Sequence, residues 1–199
     1  MSASPVSRAL DLLHRRGIVR ARDLAAIGVS GATLAHLLAR GDLIRVGRGL
    51  YAPPGRAATE SDQLVQIAMR YPNAVFCLLT ALQVHGLTTQ SPHEIWLAVG
   101  SHSRAPSPAY PPLRVMRFSD LSLGLEQRLI DGAVGIPVTS VAKTVADCFR
   151  YRTTVGTDVA LEALRDAWRR KAASMDELVA AAKTDRVATV MRPYLESLV

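Results

Sequence analysis

RARDLAAIGVSGATLAHLLARGDLIRVGRGLYAPP, the stretch from Arg20 to Pro54, decides the amino-terminal fold. Leu24 and Ile27 face one side of a short helix over Arg20 to Ile27, which Gly28 terminates. Ser30 stands where it caps a further helix, with Leu34, Leu37 and Leu38 at helical spacing and Gly41 at its end. Upstream, Ser4 and Pro5 mark another helix start, Ala9, Leu12 and Leu13 give its apolar stripe, and Gly17 closes it before the extended link Ile18–Val19. Downstream, Leu43 to Ala52 alternates as a β-hairpin, with Gly47 and Gly49 on either side of Arg48 at the tip. Three helices followed by a basic hairpin predict a winged helix-turn-helix over residues 1–57.

In that geometry the second helix of the pair lies in the major groove of DNA. Ser30, Gly31, Thr33 and His36 are then the early, outward residues that approach bases and phosphates, and Arg40, Arg45 and Arg48 grip the flanking backbone or minor groove. Arg20 and Arg22, at the start of the first helix of the pair, complete the candidate DNA-binding set. The competing reading is a winged-helix protein-interaction module whose arginines are only solvated.

Charge distribution separates the two. The 199-residue chain carries 24 Lys and Arg against 17 Asp and Glu, a net charge of +7. Residues 1–57 hold Arg8, Arg15, Arg16, Arg20, Arg22, Arg40, Arg45, Arg48 and Arg56 against only Asp11, Asp23 and Asp42, which leaves +6 there and +1 for the other residues. The basic footprint thus belongs to the predicted winged helix, as a polyanionic partner requires. Arginine suits the task, because its planar fork pairs bidentately with phosphate and guanine edges.

With 49% hydrophobic and 21% charged residues, the chain reads as one or two globular domains. No apolar run reaches the roughly 18 to 20 residues of a membrane helix, and the start lacks a signal peptide's basic and apolar blocks, so a cytoplasmic protein is expected. Cys77 and Cys148 sit in apolar surroundings and read as buried small hydrophobes. His14, His36, His85, His93 and His102 show no metal-ligand spacing, so no metal or cofactor is expected.

Pro53, Pro54 and Gly55 break the chain, and residues 58–199 are expected to form a second, mixed α/β domain with a small sheet and carboxy-terminal helices; the whole is an α+β protein. Thr59 to Ser61 caps a helix over Asp62 to Tyr71, and Asn73 to Gly86 reads as a mostly apolar helix. Glu94 to Val99 is a strand with Ile95, Leu97 and Val99 on one face, and the proline-rich residues 101–112 a surface loop. Leu113 to Phe118 is a second strand, and Leu129 to Thr139 a hairpin turning at Asp131 and Gly132. Helical spacing then takes over from Ser140, Thr157 is expected to cap Asp158 to Lys171, and Ser174 with Glu177 forms a capping box. A last helix from about Thr184 is expected to be interrupted near Pro193.

Several segments in order resemble the AbiEi-type antitoxins of bacterial type IV toxin-antitoxin, or abortive infection, systems. They are RVGRGLYAPP (45–54), LLTALQVHGL (78–87), EIWLAV (94–99), IPVTSVAKTVADCFRYR (136–152), DVALEALRDAWRR (158–170) and MRPYLESL (191–198). The resemblance implies a winged helix that represses its own operon at inverted repeats in the promoter. It also implies a carboxy-terminal domain that neutralises a nucleotidyltransferase-like toxin without requiring a stable complex. Onto this chain it carries Arg45, Arg48 and the helix from Ser30 to Arg40 as the DNA-reading surface, and it assigns no toxin-neutralising residue. The alternative is a stand-alone regulator whose second domain senses a ligand or partner.

An enzymatic reading fares worse. The mid-chain strands resemble a small nuclease core, which needs an acid followed by Glu-x-Lys to hold Mg²⁺. The chain has no Glu-x-Lys; Glu94, Asp131 and Asp147 are separate acids, and Val141 stands two residues before Lys143. Thr144, Asp147 and Arg150 share a helical face, a spacing that an ordinary capped or solvated face explains equally well. A non-enzymatic protein is expected.

Overall fold

The computed structural model describes residues 4–55, 60–90, 92–106, 111–130 and 134–198. The chain divides into two compact units, Met1–Arg70 with Leu129–Ile136, and Tyr71–Arg128 with Pro137–Val199.

In the first unit, α1 (Pro5–Arg16) starts where the Ser4 side chain accepts a hydrogen bond from the Ser7 amide. β1 (Val19–Arg20) leads into α2 (Ala21–Ala26), and α3 (Gly31–Arg40) begins at Ser30, whose hydroxyl oxygen accepts from the Thr33 amide at 3.1 Å. β2 (Ile44–Gly47) and β3 (Leu50–Ala52) form the hairpin, and the antiparallel sheet runs in the order β1-β3-β2. Ala9, Leu13, Val19, Leu24, Val29, Leu37, Leu43 and Tyr51 make one buried core, so the stripes read from the sequence are the faces that pack. α4 (Glu60–Arg70) follows; its expected cap at Thr59 lies outside the described residues.

The rest of the chain begins with β4 (Val75–Phe76) and α5 (Leu78–Val84), where the sequence predicts one helix over Asn73 to Gly86. An all-apolar run does not distinguish a helix from a buried strand, and here tertiary pairing decides. Phe76, fully buried, lies beside Leu97 on one side and Val138 on the other, and Leu78 turns the chain at φ 48°. β5 (Ile95–Gly100), β6 (Leu113–Phe118), β7 (Leu125–Ile130) and β8 (Val134–Thr139) complete a mixed sheet in the order β6-β5-β4-β8-β7. Ile95 to Val99 are all buried, so both faces of β5 are covered rather than the one its alternation suggests. The first hairpin strand starts at Leu125, four residues before the expected Leu129, and the turn at Asp131 and Gly132 lies outside the described residues.

α6 (Val141–Arg150), α7 (Arg152–Val155), α8 (Thr157–Arg169), α9 (Met175–Thr184) and α10 (Ala188–Glu196) follow. The Ser174–Glu177 capping box forms as read. Thr157 lies inside α8 rather than capping it, because Gly156 takes the cap position. α10 runs through Pro193 instead of breaking. Proline removes the bond to the carbonyl of Thr189, and both residues are exposed, where water can satisfy that oxygen.

Residues 141–149 of α6 are all buried, including Lys143, Thr144 and Asp147. Thr144 Oγ1 donates to the Thr139 carbonyl at 3.0 Å. Lys143 Nζ donates to Asp147 Oδ1 at 2.5 Å and Asp185 Oδ2 at 3.1 Å, and stands 4.8 Å from the Phe118 ring centre. Two carboxylates share one ammonium, and Asp147 Oδ2 has no hydrogen-bond partner among the described residues. Burial, reinforced by the charge of Asp185 and opposed by Lys143, pushes the Asp147 carboxyl up to about 7.

The raised pKa fixes a sign. Between the ordinary carboxylate range and about pH 7, folded Asp147 holds a proton that the unfolded chain has lost, so its contribution to stability falls as pH rises through that window. Asp147→Asn should remove this part of the slope, up to about 1.4 kcal/mol per pH unit, in urea unfolding at pH 5 to 8 compared with the unmodified chain. Lys143→Ala strands two buried carboxylates and should cost about 3–5 kcal/mol at pH 8, read from the urea midpoint.

Candidate nucleic-acid interface

α2 and α3 are joined by a turn that packs on α1. The Ile27 amide bonds to Leu24 and the Val29 amide to the same carbonyl, while Gly28 takes φ 81°. A Cβ at Gly28 would stand 3.0 Å from the Arg8 guanidinium, so position 28 calls for glycine by its backbone angle, and any side chain there must also push the end of Arg8 aside. Arg8 is half-buried under this turn, with its Nε unpartnered among the described residues. At the other end of α3, Gly41 takes the left-handed conformation and the Asp42 amide bonds back to Leu37.

Leu37 is fully buried and Leu34 and Leu38 half-buried, so α3 has one inward side. Its outward side is Ala32, Ala35, His36, Ala39 and Arg40, all exposed, with Ser30 and Gly31 exposed at the amino end. A helix with this face lets another molecule approach its backbone closely, hindered only by His36 and Arg40. Thr33 is half-buried, its hydroxyl engaged with Ser30 at 2.9 Å.

The hairpin carries its arginines outward. Arg45 is exposed, with Nε donating to the Gly47 carbonyl at 3.2 Å, and Arg48 is exposed in the turn. The Gly49 carbonyl accepts from the Ala21 amide at 2.9 Å, and Gln66 Nε2 of α4 donates to the Val46 carbonyl at 2.8 Å, so the turn and the first strand of the hairpin are both anchored. Arg40 pairs with Asp42 at 3.0 Å and Arg22 stands 3.9 Å from Asp23, both arginines remaining largely exposed. Arg20 is half-buried; burial, with Arg22 beside it, lowers its pKa from the ordinary value. The sequence singled out residues able to donate hydrogen bonds and passed over Ala32, Ala35 and Ala39, whose small side chains carry no chemical signal.

Residues 7–54 match the family model described as transcriptional regulator, AbiEi antitoxin. The match spans α1 to β3, about a quarter of the chain. No curated protein matches the chain. Among solved structures, that of the RV2827C protein from Mycobacterium tuberculosis is similar with a TM-score of 0.55 and 18% identity, over 98% of this chain and 78% of that one. At that identity the likeness is one of fold.

Outside the matched segment, two of the three acids of the nuclease reading are engaged elsewhere. Glu94 pairs with Arg114 at 2.8 Å, Asp147 is held by Lys143, and Asp131 lies outside the described residues. Of the shared polar face on α6, Thr144 and Asp147 point into buried contacts while Arg150 is exposed. Both cysteines are buried and free, and burial pushes both thiols well above their ordinary value. His85, at the end of α5, contacts the Thr139 carbonyl through Nε2 at 2.7 Å, and burial lowers its pKa. Among the described residues no three His, Cys, Asp or Glu side chains gather as a metal site, and no helix is long and apolar enough to cross a membrane.

The two left-handed glycines at the ends of this motif should respond differently. Gly41→Ala meets open space and should cost only the backbone strain, about 1–2 kcal/mol; Gly28→Ala should cost more, because Arg8 must also move. Thermal unfolding of the two variants measures the difference.

Proposed function

We propose that residues 1–57 are a winged helix-turn-helix that binds double-stranded DNA, with α3 in the major groove and the β2–β3 hairpin as the wing. The observation that carries this reading is the outward face of α3, made of alanines with His36 and Arg40 and accompanied by exposed Arg45 and Arg48. Ser30, at the amino end of α3, and Thr33 meet the phosphate backbone, where the helix dipole favours an anion. His36 reaches base edges, Arg40 and Arg22 exchange their surface acid partners for phosphates, and Arg20 adds to the positive field. The +6 charge of this segment supports a polyanionic partner over a protein one.

The target is the chain's own promoter, at inverted repeats, where binding represses the operon. Residues 58–199 act as the antitoxin part in the cytoplasm and neutralise a nucleotidyltransferase-like toxin of a type IV system, without requiring a stable complex. The AbiEi match over residues 7–54 supports the regulator assignment, and the ordered resemblance of the later segments supports the antitoxin one. The chain works without cofactor or catalysis in this reading.

Titrating promoter DNA at several salt concentrations tests the first part. Log Kobs should fall linearly with log salt, and Arg45→Ala and Arg48→Ala should each flatten the slope by about 0.9; unchanged slopes would remove the wing from the interface. For the second part, expression of the toxin encoded beside this gene should arrest growth, and residues 58–199 should be required for rescue. Failure of the full chain to rescue would leave a plain transcriptional regulator.

A further inference from the structure

β7 ends the strand order of the five-stranded sheet, so among the described residues its outer edge meets no other strand. Such an edge offers a row of free backbone donors and acceptors, and proteins usually blunt it with charge, proline or a covering segment. Here the strand carries one acid and one base but keeps exposed leucines on its other face. Of the four large hydrophobic residues that stand exposed among the described ones, three lie on or beside this strand: Leu123 at 42%, Leu125 at 44% and Leu129 at 68%. Leu125, Gln127 and Leu129 share one face of β7, and Glu126 and Arg128 share the other, their charged groups 3.3 Å apart.

The order Leu125-Glu126-Gln127-Arg128-Leu129 is complementary to itself when read in reverse. We propose that β7 is a homodimerisation edge, where two copies of this chain pair antiparallel about a two-fold axis through Gln127. In that register Leu125 faces Leu129 of the second copy, Glu126 faces Arg128, and Gln127 faces its equivalent. Each relation occurs twice except the central one, as a two-fold axis demands. Leucine pairs and opposite-charge pairs are the cross-strand contacts that stabilise antiparallel sheets, and like charges directly opposite destabilise them. Shifting the axis by one residue, to Glu126 or Arg128, sets that charged residue opposite its own copy. The edge therefore selects both its partner and its register. The pairing stands whether or not the chain binds DNA.

Two measurements on the full chain test the proposal. Sedimentation equilibrium should give twice the chain mass at high concentration. Glu126→Arg places arginine opposite arginine and should weaken association at least tenfold, and Glu126→Arg with Arg128→Glu should restore it. Cysteine cross-linking checks the register without disturbing the charges. Gln127→Cys brings two thiols about 5 Å apart at Cα, within disulfide reach, and should oxidise to a covalent dimer. Leu125→Cys stands about 13 Å along the strand from its own copy and should not cross-link, although Leu125→Cys with Leu129→Cys should. The buried Cys77 and Cys148 leave the unmodified chain as a clean control. A monomer across the soluble range, or equal cross-linking of the single Gln127→Cys and Leu125→Cys variants, would overturn the proposal.

Discussion

Lys143 is held in the interior by two carboxylates, on a helix whose residues 141–149 are all buried. A buried ammonium costs several kcal/mol unless its partners are close and fixed. Asp147 comes from the same helix, one turn on, and Asp185 from the end of α9, so the ion group ties the chain after α9 to α6. Thr144 meets the end of β8 through Thr139, and α5, α8, α9 and α10 all pack against α6. Once α6 is buried, its three polar side chains dictate where β8 must end and where α9 must stop.

The amino-terminal unit solves a different problem. It is small, and its core rests on Ala9, Leu13, Leu24, Leu37 and their neighbours, whose packing leaves one side of α3 outward. That side is nearly bare, with Ala32, Ala35 and Ala39 exposed along it. In the proposed DNA complex these alanines let the helix approach the groove closely, and the long charged groups stand at its end and on the hairpin, which the Ala21 amide and Gln66 hold in place. Rigid support behind exposed arginines reduces the entropy lost when they engage a phosphate.

What could be read from the sequence follows from which forces are local. Ser4, Ser30 and the Ser174–Glu177 pair cap helices as their chemistry dictates, and Gly17 and Gly41 close helices where the apolar stripes stop. The hairpin with Arg48 in its turn was equally legible, because alternation and glycine are local signals. β4 was not, since Phe76 becomes a strand residue only by lying between Leu97 and Val138, which are distant in sequence. The partners of Lys143 escaped for the same reason: Asp185 lies 42 residues away, and only folding brings it near. At the candidate site the arginines announced themselves, while the bare alanine face became visible only once Leu37 was seen to point inward.

In the proposed complex the outward face of α3 and the hairpin turn meet DNA. Amide hydrogen exchange of the full chain, with and without a duplex of its own promoter, tests this contact most directly. Binding through this surface should add protection over residues 30–40 and 45–49, with the α6 amides unchanged. Added protection confined to residues 71–198, or none at saturating duplex, would contradict it.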